Sequence, residues 1–219
     1  MKNCCLCSNV ASGAVEEWNR PLLESRNFVA LPSVGSLVEG WLLIVPKDHY
    51  ISMGALPVSL ADEMQSFKWE LASQLGALYG DLCAFEHGPA LAERRVGCGV
   101  DHAHLHVVPI AFDLADAAAP FLPRYVSWSQ AGWDQCRAAY HSGRDYLYVE
   151  QPIGAGRIAV HDSFGSQVFR KAIADRLGVP EQFNWREYPQ KDLVSRTILR
   201  AQKIFERGCT YPSSVEGCA

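Results

Sequence analysis

The chain has no long apolar run, no excess of positive charge and no internal repeat, and each absence removes a class of protein. No window of its 219 residues approaches the roughly 20 apolar positions that a membrane-spanning helix requires. The amino-terminal MKNCCLCSNV has no apolar core of a secretory leader. A membrane partner is therefore not expected, and the chain reads as cytoplasmic. Lys and Arg number 20 against 24 Asp and Glu, for a formal net charge of −4. That balance lacks the basic field that drives sequence-independent nucleic-acid binding, which argues against nucleic acid and for a small polar ligand. What is present is an ordinary globular composition, 48% hydrophobic and 20% charged, able to bury a real core.

Eight cysteines in a chain without a leader do not read as a disulfide scaffold. Three of them crowd at Cys4, Cys5 and Cys7, and Cys4-x-x-Cys7 is half of a tetrahedral thiolate zinc site that needs two further ligands. An unliganded or redox-active cluster is the plainer alternative, and Cys5 leaves the ligand choice ambiguous.

The first half is well punctuated. RNFVALPS (26–33) and LVEGWLLIVP (37–46) are β-branched, apolar runs around Gly35 and Ser36, which predicts an antiparallel pair. Leu60, Met64, Phe67, Leu71, Leu75 and Leu78 recur at steps of three and four, predicting a helix capped by Ser59 and stopped at Gly80. LCAFEHG (82–88) reads as a strand and ERRVGCG (93–99) as a loop. DLADAAAP (113–120) marks a shift in composition, which puts a first unit at 1–112 and an extension at 113–219. In the extension, DYLYVE (145–150) and RIAVH (157–161) flank a Gly-rich turn and predict a hairpin. Two helices follow, over SQVFRKAIADRLG (166–178) and about 190–206. In the last one, Val194, Ile198, Ala201 and Phe205 form an apolar stripe beside a basic stripe of Arg196, Arg200, Lys203 and Arg207, read as core-facing and solvated faces, with a phosphate-facing basic stripe as the alternative.

DHAHLHVVPI (101–110) is the most informative segment. In a strand, His102, His104 and His106 share one face and Ala103, Leu105 and Val107 the other. Successive same-face residues lie about 6.5 Å apart, so three in a row do not converge easily on one ion. The row is better divided among more than one task.

HAHLHVVP is similar to the signature of the histidine-triad superfamily, and the likeness continues upstream through FVALPSVGSLVEGWLLIVPKDHY, the long helix and CAFEHG, in family order. It covers roughly residues 1–112. The resemblance implies an α+β fold with a mostly antiparallel sheet of about five strands, one long helix and a nucleotide-binding cleft beside the histidine strand. It implies that His104 attacks the α-phosphorus of a nucleotide and carries the nucleotidyl group covalently, with His106 donating to a phosphoryl oxygen. Neutral imidazole is nucleophilic near pH 7, and covalent capture splits one hard displacement into two easier ones. In the zinc-bearing, bacterial-type members the remaining ligands match His49 of PKDH and His102, giving a Cys4, Cys7, His49, His102 site. The resemblance also implies a homodimer.

Two departures bear on substrate. Where the family often has Gly-Gln-Ser or Gly-Gln-Thr, this chain has Gly97-Cys98-Gly99, whose backbone N–H groups remain as a phosphate cradle. Where it often has Asn-x-Gly, this chain has Glu86-His87-Gly88. Glu86 is a candidate for ribose hydroxyls or for orienting a ring nitrogen, and His87 for a phosphate contact or an acid; each is equally readable as a loop residue. Arg94 and Arg95 are phosphate candidates or solvated arginines. Trp128, Trp133, Tyr146, Tyr148 and Trp185 are core or the walls of a base pocket. The expected activity is nucleotidyl hydrolysis of a phosphoanhydride or phosphoramidate. Transfer or phosphorolysis is the alternative within the superfamily. A non-catalytic nucleotide or RNA-processing factor, or a hydrolase using metal-bound water, are the alternatives outside that chemistry.

Overall fold

The computed structural model describes residues 4–11, 19–92, 99–162 and 164–208. Its helices are α1 (Cys5–Ala11), α2 (Ala61–Tyr79), α3 (Leu114–Ala118), α4 (Trp133–His141), α5 (Val168–Arg176) and α6 (Lys191–Gly208). Its strands are β1 (Leu23–Glu24), β2 (Phe28–Pro32), β3 (Leu42–Pro46), β4 (Leu82–Gly88), β5 (Leu105–Pro109), β6 (Ser129–Gln130), β7 (Asp145–Glu150) and β8 (Gly156–His161).

These strands form one eight-stranded sheet, in the order β1-β2-β3-β5-β4-β7-β8-β6, and neighbouring strands pair antiparallel. The expected α+β class holds, and the expected count of about five strands does not. The hairpin of the second half continues the sheet: Phe85 pairs with Val149 and His87 with Leu147, so β4 is central rather than an edge. All seven residues of β4 are buried, which is why it reads as a continuous apolar run instead of an alternating one.

Each face has its own cover. On one, Met64, Phe67, Leu71 and Leu75 of α2 pack on Phe28, Ile44, Ala84, Leu105 and Val107. On the other, Phe169, Ala172 and Ile173 of α5, with Leu114 and Ala115 of α3, cover Trp41, Phe85, Val108, Leu147 and Val149. Full burial of such side chains contributes about 1.5–3 kcal/mol each. Lys68 of α2 and Glu150 of β7 form an ion pair at 2.6 Å, and both are at most 2% exposed.

Helix α2 ends at Gly80 (φ +80) as expected. Its start differs: a 3₁₀ turn over Val58–Leu60 precedes it and Leu60, not Ser59, is the capping residue. In α6, Val194, Ile198, Ala201 and Phe205 are buried, while Arg196 and Arg200 lie half out in water and pair with Glu39 at 3.3 and 2.8 Å. The apolar stripe thus faces the core, and Arg196 and Arg200 face solvent.

Candidate functional site

The histidine segment enters the sheet late. β5 begins at Leu105, so His106 lies within it while His102 and His104 lie in the extended backbone just before. Alternation nevertheless holds, with Ala103, Leu105 and Val107 at most 1% exposed in the α2 core.

His102 turns toward the amino terminus. Its Nε2–H donates to the Pro46 carbonyl at 2.9 Å, which leaves Nδ1 as the lone-pair nitrogen. That nitrogen lies 3.4 Å from Cys4 Sγ and 3.3 Å from Cys7 Sγ, and His49 Nδ1 lies 3.2 Å from Cys7 Sγ. The ligand atoms of Cys4, Cys7, His49 and His102 are all within 4.8 Å of one another. Such spacing and donor chemistry suit a tetrahedral divalent ion, and the Pro46 bond fixes the ring as metal-binding histidines require. Burial holds His102 neutral, its pKa lowered to about 4, while burial and Cys4 raise the Cys7 thiol to about 11. Cys4 immediately precedes α1 and Cys7 lies in its first turn, and Leu6 holds that turn on the sheet against Val29, Leu31 and Val45.

His104 is half-buried. Its Nδ1–H donates to the His102 carbonyl at 2.6 Å, so the ring lone pair lies on Nε2. Burial lowers its pKa and keeps the ring neutral. His106 has the opposite tautomer: Trp41 Nε1–H donates to its Nδ1 at 3.0 Å, which puts the ring proton on Nε2. The His106 ring stacks on Phe85 with centroids 4.4 Å apart and meets His104 edge-on at 4.9 Å. Burial pushes its pKa well down. The pair therefore sets a ring-nitrogen lone pair and an N–H donor side by side.

Glu86 and His87 separate. His87 shares the triad's face, tilted against Phe169 at 5.0 Å. Its Nε2 accepts the Phe169 N–H at 3.2 Å, its Nδ1 has no partner, and burial lowers its pKa to about 3. Glu86 points to the other face, which corrects its expected place in the site. There its carboxylate accepts Met53 N–H and Tyr146 O–H, each at 2.5 Å, and burial raises its pKa to about 7. It fastens the turn before α2. Gly99 (φ +77) gives its carbonyl to Arg186 at 3.0 Å; Gly97, Cys98, Arg94 and Arg95 lie outside the described residues. Tyr146 and Tyr148 are core residues.

A cavity of about 310 Å³ opens on the triad. His104 and His106 line one end, Leu31, Leu43 and Val100 its apolar wall, and Cys5, Leu6 and Asn9 the side given by α1. Arg170 and Trp185, from the second half, complete it. Motif reading missed Arg170 and Trp41. A cation at 170 between Phe169 and Ile173, on a helix otherwise apolar on that side, was the signal available.

Fold and site together define a protein of the histidine-triad kind. More narrowly, residues 1–122 match the family model described as "Protein similar to CwfJ C-terminal", and the chain belongs to that family. It is 26% identical over 200 residues to zinc finger CCCH domain-containing protein 64 of Arabidopsis thaliana, a match that spans 84% of this chain and 32% of the relative, about a third of its length. Among solved structures, a HIT family protein from Bacillus anthracis superposes with a TM-score of 0.41 at 20% identity, over 51% of this chain and 76% of the other. Yeast Ap4A phosphorylase in complex with AMP superposes with a TM-score of 0.38 at 13% identity, over 65% and 59%. Among the described residues no helix is long and apolar enough to cross a membrane.

Proposed function

We propose that the protein is a nucleotidyl hydrolase that cleaves a nucleotide phosphoanhydride or phosphoramidate through a covalent intermediate on His104. The observation that carries this reading is the hydrogen bond from His104 Nδ1 to the His102 carbonyl, on a ring that lines the cavity. It commits the Nε2 lone pair to attack. As the Nε2–P bond forms, the bond from the α-phosphorus to the leaving oxygen or nitrogen breaks, and that atom takes the electron pair and a proton from solvent. Water then attacks the phosphorus and returns a proton to solvent, the N–P bond breaks with its electron pair going back to Nε2, and His104 regains its neutral form with a nucleoside monophosphate as product. His106, its proton on Nε2, donates to a phosphoryl oxygen where charge develops. Trp41 is a positioning residue for that donor.

Cys4, Cys7, His49 and His102 would hold a zinc ion with a structural role, pinning α1 over the cavity. The ligand in this reading is a nucleotide or nucleotide conjugate rather than nucleic acid. Gly99, at the place where the family often has Ser or Thr, favours a second reading in which the site binds a nucleotide without turning it over.

Incubation with α-phosphorus-labelled dinucleoside polyphosphates and nucleoside phosphoramidates tests the reaction. Acid-labile label on the wild type, none on His104→Ala, and a fall in turnover of roughly 10³-fold or more are expected. Undiminished turnover in His104→Ala refutes the nucleophile; nucleotide binding without label or turnover supports the second reading. For zinc, equal metal content in wild type, Cys4→Ser and His49→Ala would remove the site.

A further inference from the structure

The cavity is only half built by the part of the chain that carries the histidine motif. α5 brings Arg170, a cation 1% exposed, to the triad's end of it, and the segment after α5 brings Trp185. Arg170 is held from three sides. Its Nε–H donates to the Phe183 carbonyl at 2.8 Å, one terminal nitrogen donates to the Gly35 carbonyl, and its guanidinium lies 5.0 Å from the centroid of Trp41, the indole that fixes His106. Trp185 is half-buried, with the Arg186 guanidinium 4.3 Å from its ring centroid. Both are docked through Gly35. Gly35 N–H donates to the Pro189 carbonyl at 2.8 Å, and a Cβ at Gly35 would lie 2.5 Å from Trp185 Cβ.

A buried guanidinium on the same cavity as His104 and His106 brings positive charge beside them, and its fork geometry matches phosphoryl oxygens. A flat indole in an apolar wall, with Asn9 and Asn19 on the same cavity, matches a nucleobase with polar edges. We propose that residues 164–190 form the second half of the nucleotide site, with Arg170 binding the phosphoryl group that His104 attacks and Trp185 stacking on the base. The ligand class is thus a nucleoside 5′-phosphate and its conjugates. The assignment rests on the nucleotide reading above but not on turnover.

Titrations of AMP against adenosine, with the guanine and uracil pairs alongside, test it. The wild type is expected to prefer the nucleotide. Arg170→Gln loses that preference by roughly tenfold to hundredfold while nucleoside affinity holds, and Arg170→Lys recovers part of it. Trp185→Ala weakens nucleotide and nucleoside equally, by roughly tenfold to hundredfold; Trp185→Phe keeps affinity and loses the ligand-induced quenching of indole emission. Because Arg170 is buried, its Nε–H resonance in the wild type supplies a second readout, expected to shift with AMP and not with adenosine. An intact nucleotide preference in folded Arg170→Gln, a resonance indifferent to AMP, or unchanged binding by Trp185→Ala overturns the assignment. A wild type that binds AMP as described but never takes label refutes the reaction alone, whereas a labelled wild type whose variants bind unchanged refutes this assignment alone.

Discussion

The two halves of the chain reach the same cavity by different means. The first half positions its chemistry locally: His102, His104 and His106 sit two residues apart, and one carbonyl sets the tautomer of its neighbour in that row. The second half positions Arg170 and Trp185 by docking on the first around Gly35, 135 residues from Arg170 in sequence. Spacing along a strand conveys the first arrangement; only docking conveys the second. If the comparison is right, the seam between the halves controls stability, and the fine fit at Gly35 controls the ligand.

The seam should give the largest effect. Lys68→Met leaves Glu150 buried with Tyr148 O–H and Gly154 N–H as partners and no countercharge. Removing one member of a buried pair costs about 3–5 kcal/mol, and replacing both members by apolar residues recovers most of it. Denaturant unfolding of Lys68→Met and of Lys68→Met/Glu150→Leu checks this. A single transition is expected in each, since one sheet runs through both halves; an early transition of the second half alone would show that the two halves unfold independently.

Opposite faces of β4 should titrate in opposite senses. Glu86 is held protonated up to about pH 7 against an ordinary value near 4.5. Its folded pKa is the higher, so its contribution is complete below about 4.5 and is lost as pH rises through 7, roughly 3 kcal/mol in all. His87 has its pKa lowered to about 3 from 6.5, so its contribution is present above 6.5 and is lost as pH falls toward 3. Thermal unfolding across pH 4 to 8 should show a decline on each side, and Glu86→Gln should flatten the neutral side only. A Glu86→Gln profile that parallels the wild type would mean the carboxyl is not buried as described.

How much of this was legible follows from the same contrast. The runs that became β2, β4, β7 and β8, and the stripes that became α2, α5 and α6, were readable because each element's period is local. The clustering of Cys4, Cys7, His49 and His102 was readable from the family resemblance. Placing both Glu86 and His87 in the site was not compatible with strand alternation, since adjacent residues face opposite ways. The apolar run around them gave no clue to which face was which. The pairing of β4 with β7 and the roles of Arg170 and Trp41 depend on partners far away in sequence. Trp185 was left between core and pocket wall for the same reason.

Gly35→Ala should act more gently on stability and more selectively on ligand. The residue has φ +73, and the added methyl meets Trp185 Cβ and backbone. Strain and overpacking of this kind cost about 1–3 kcal/mol. Because the same contact carries Trp185, nucleoside affinity should fall with stability, which parallel calorimetric titrations and thermal melts would show. Loss of stability with intact affinity would separate docking from binding.

The basic stripe of α6 should give the smallest effect. Arg196 and Arg200, each 55% exposed, share Glu39, to which Tyr79 also donates at 3.0 Å. Exposed pairs contribute about 0–1 kcal/mol and are screened by salt. Arg200→Gln should therefore change the unfolding free energy by less than about 1 kcal/mol and leave AMP affinity unaltered. The contrast with Arg170 is one of surroundings: both are helical arginines of the second half, but one faces water and shares a carboxylate, and the other lies under the sheet beside His106. Should Arg200→Gln weaken AMP as strongly as Arg170→Gln, charge in general rather than the cavity would be what holds the phosphate, and the two halves would differ less than their geometry implies.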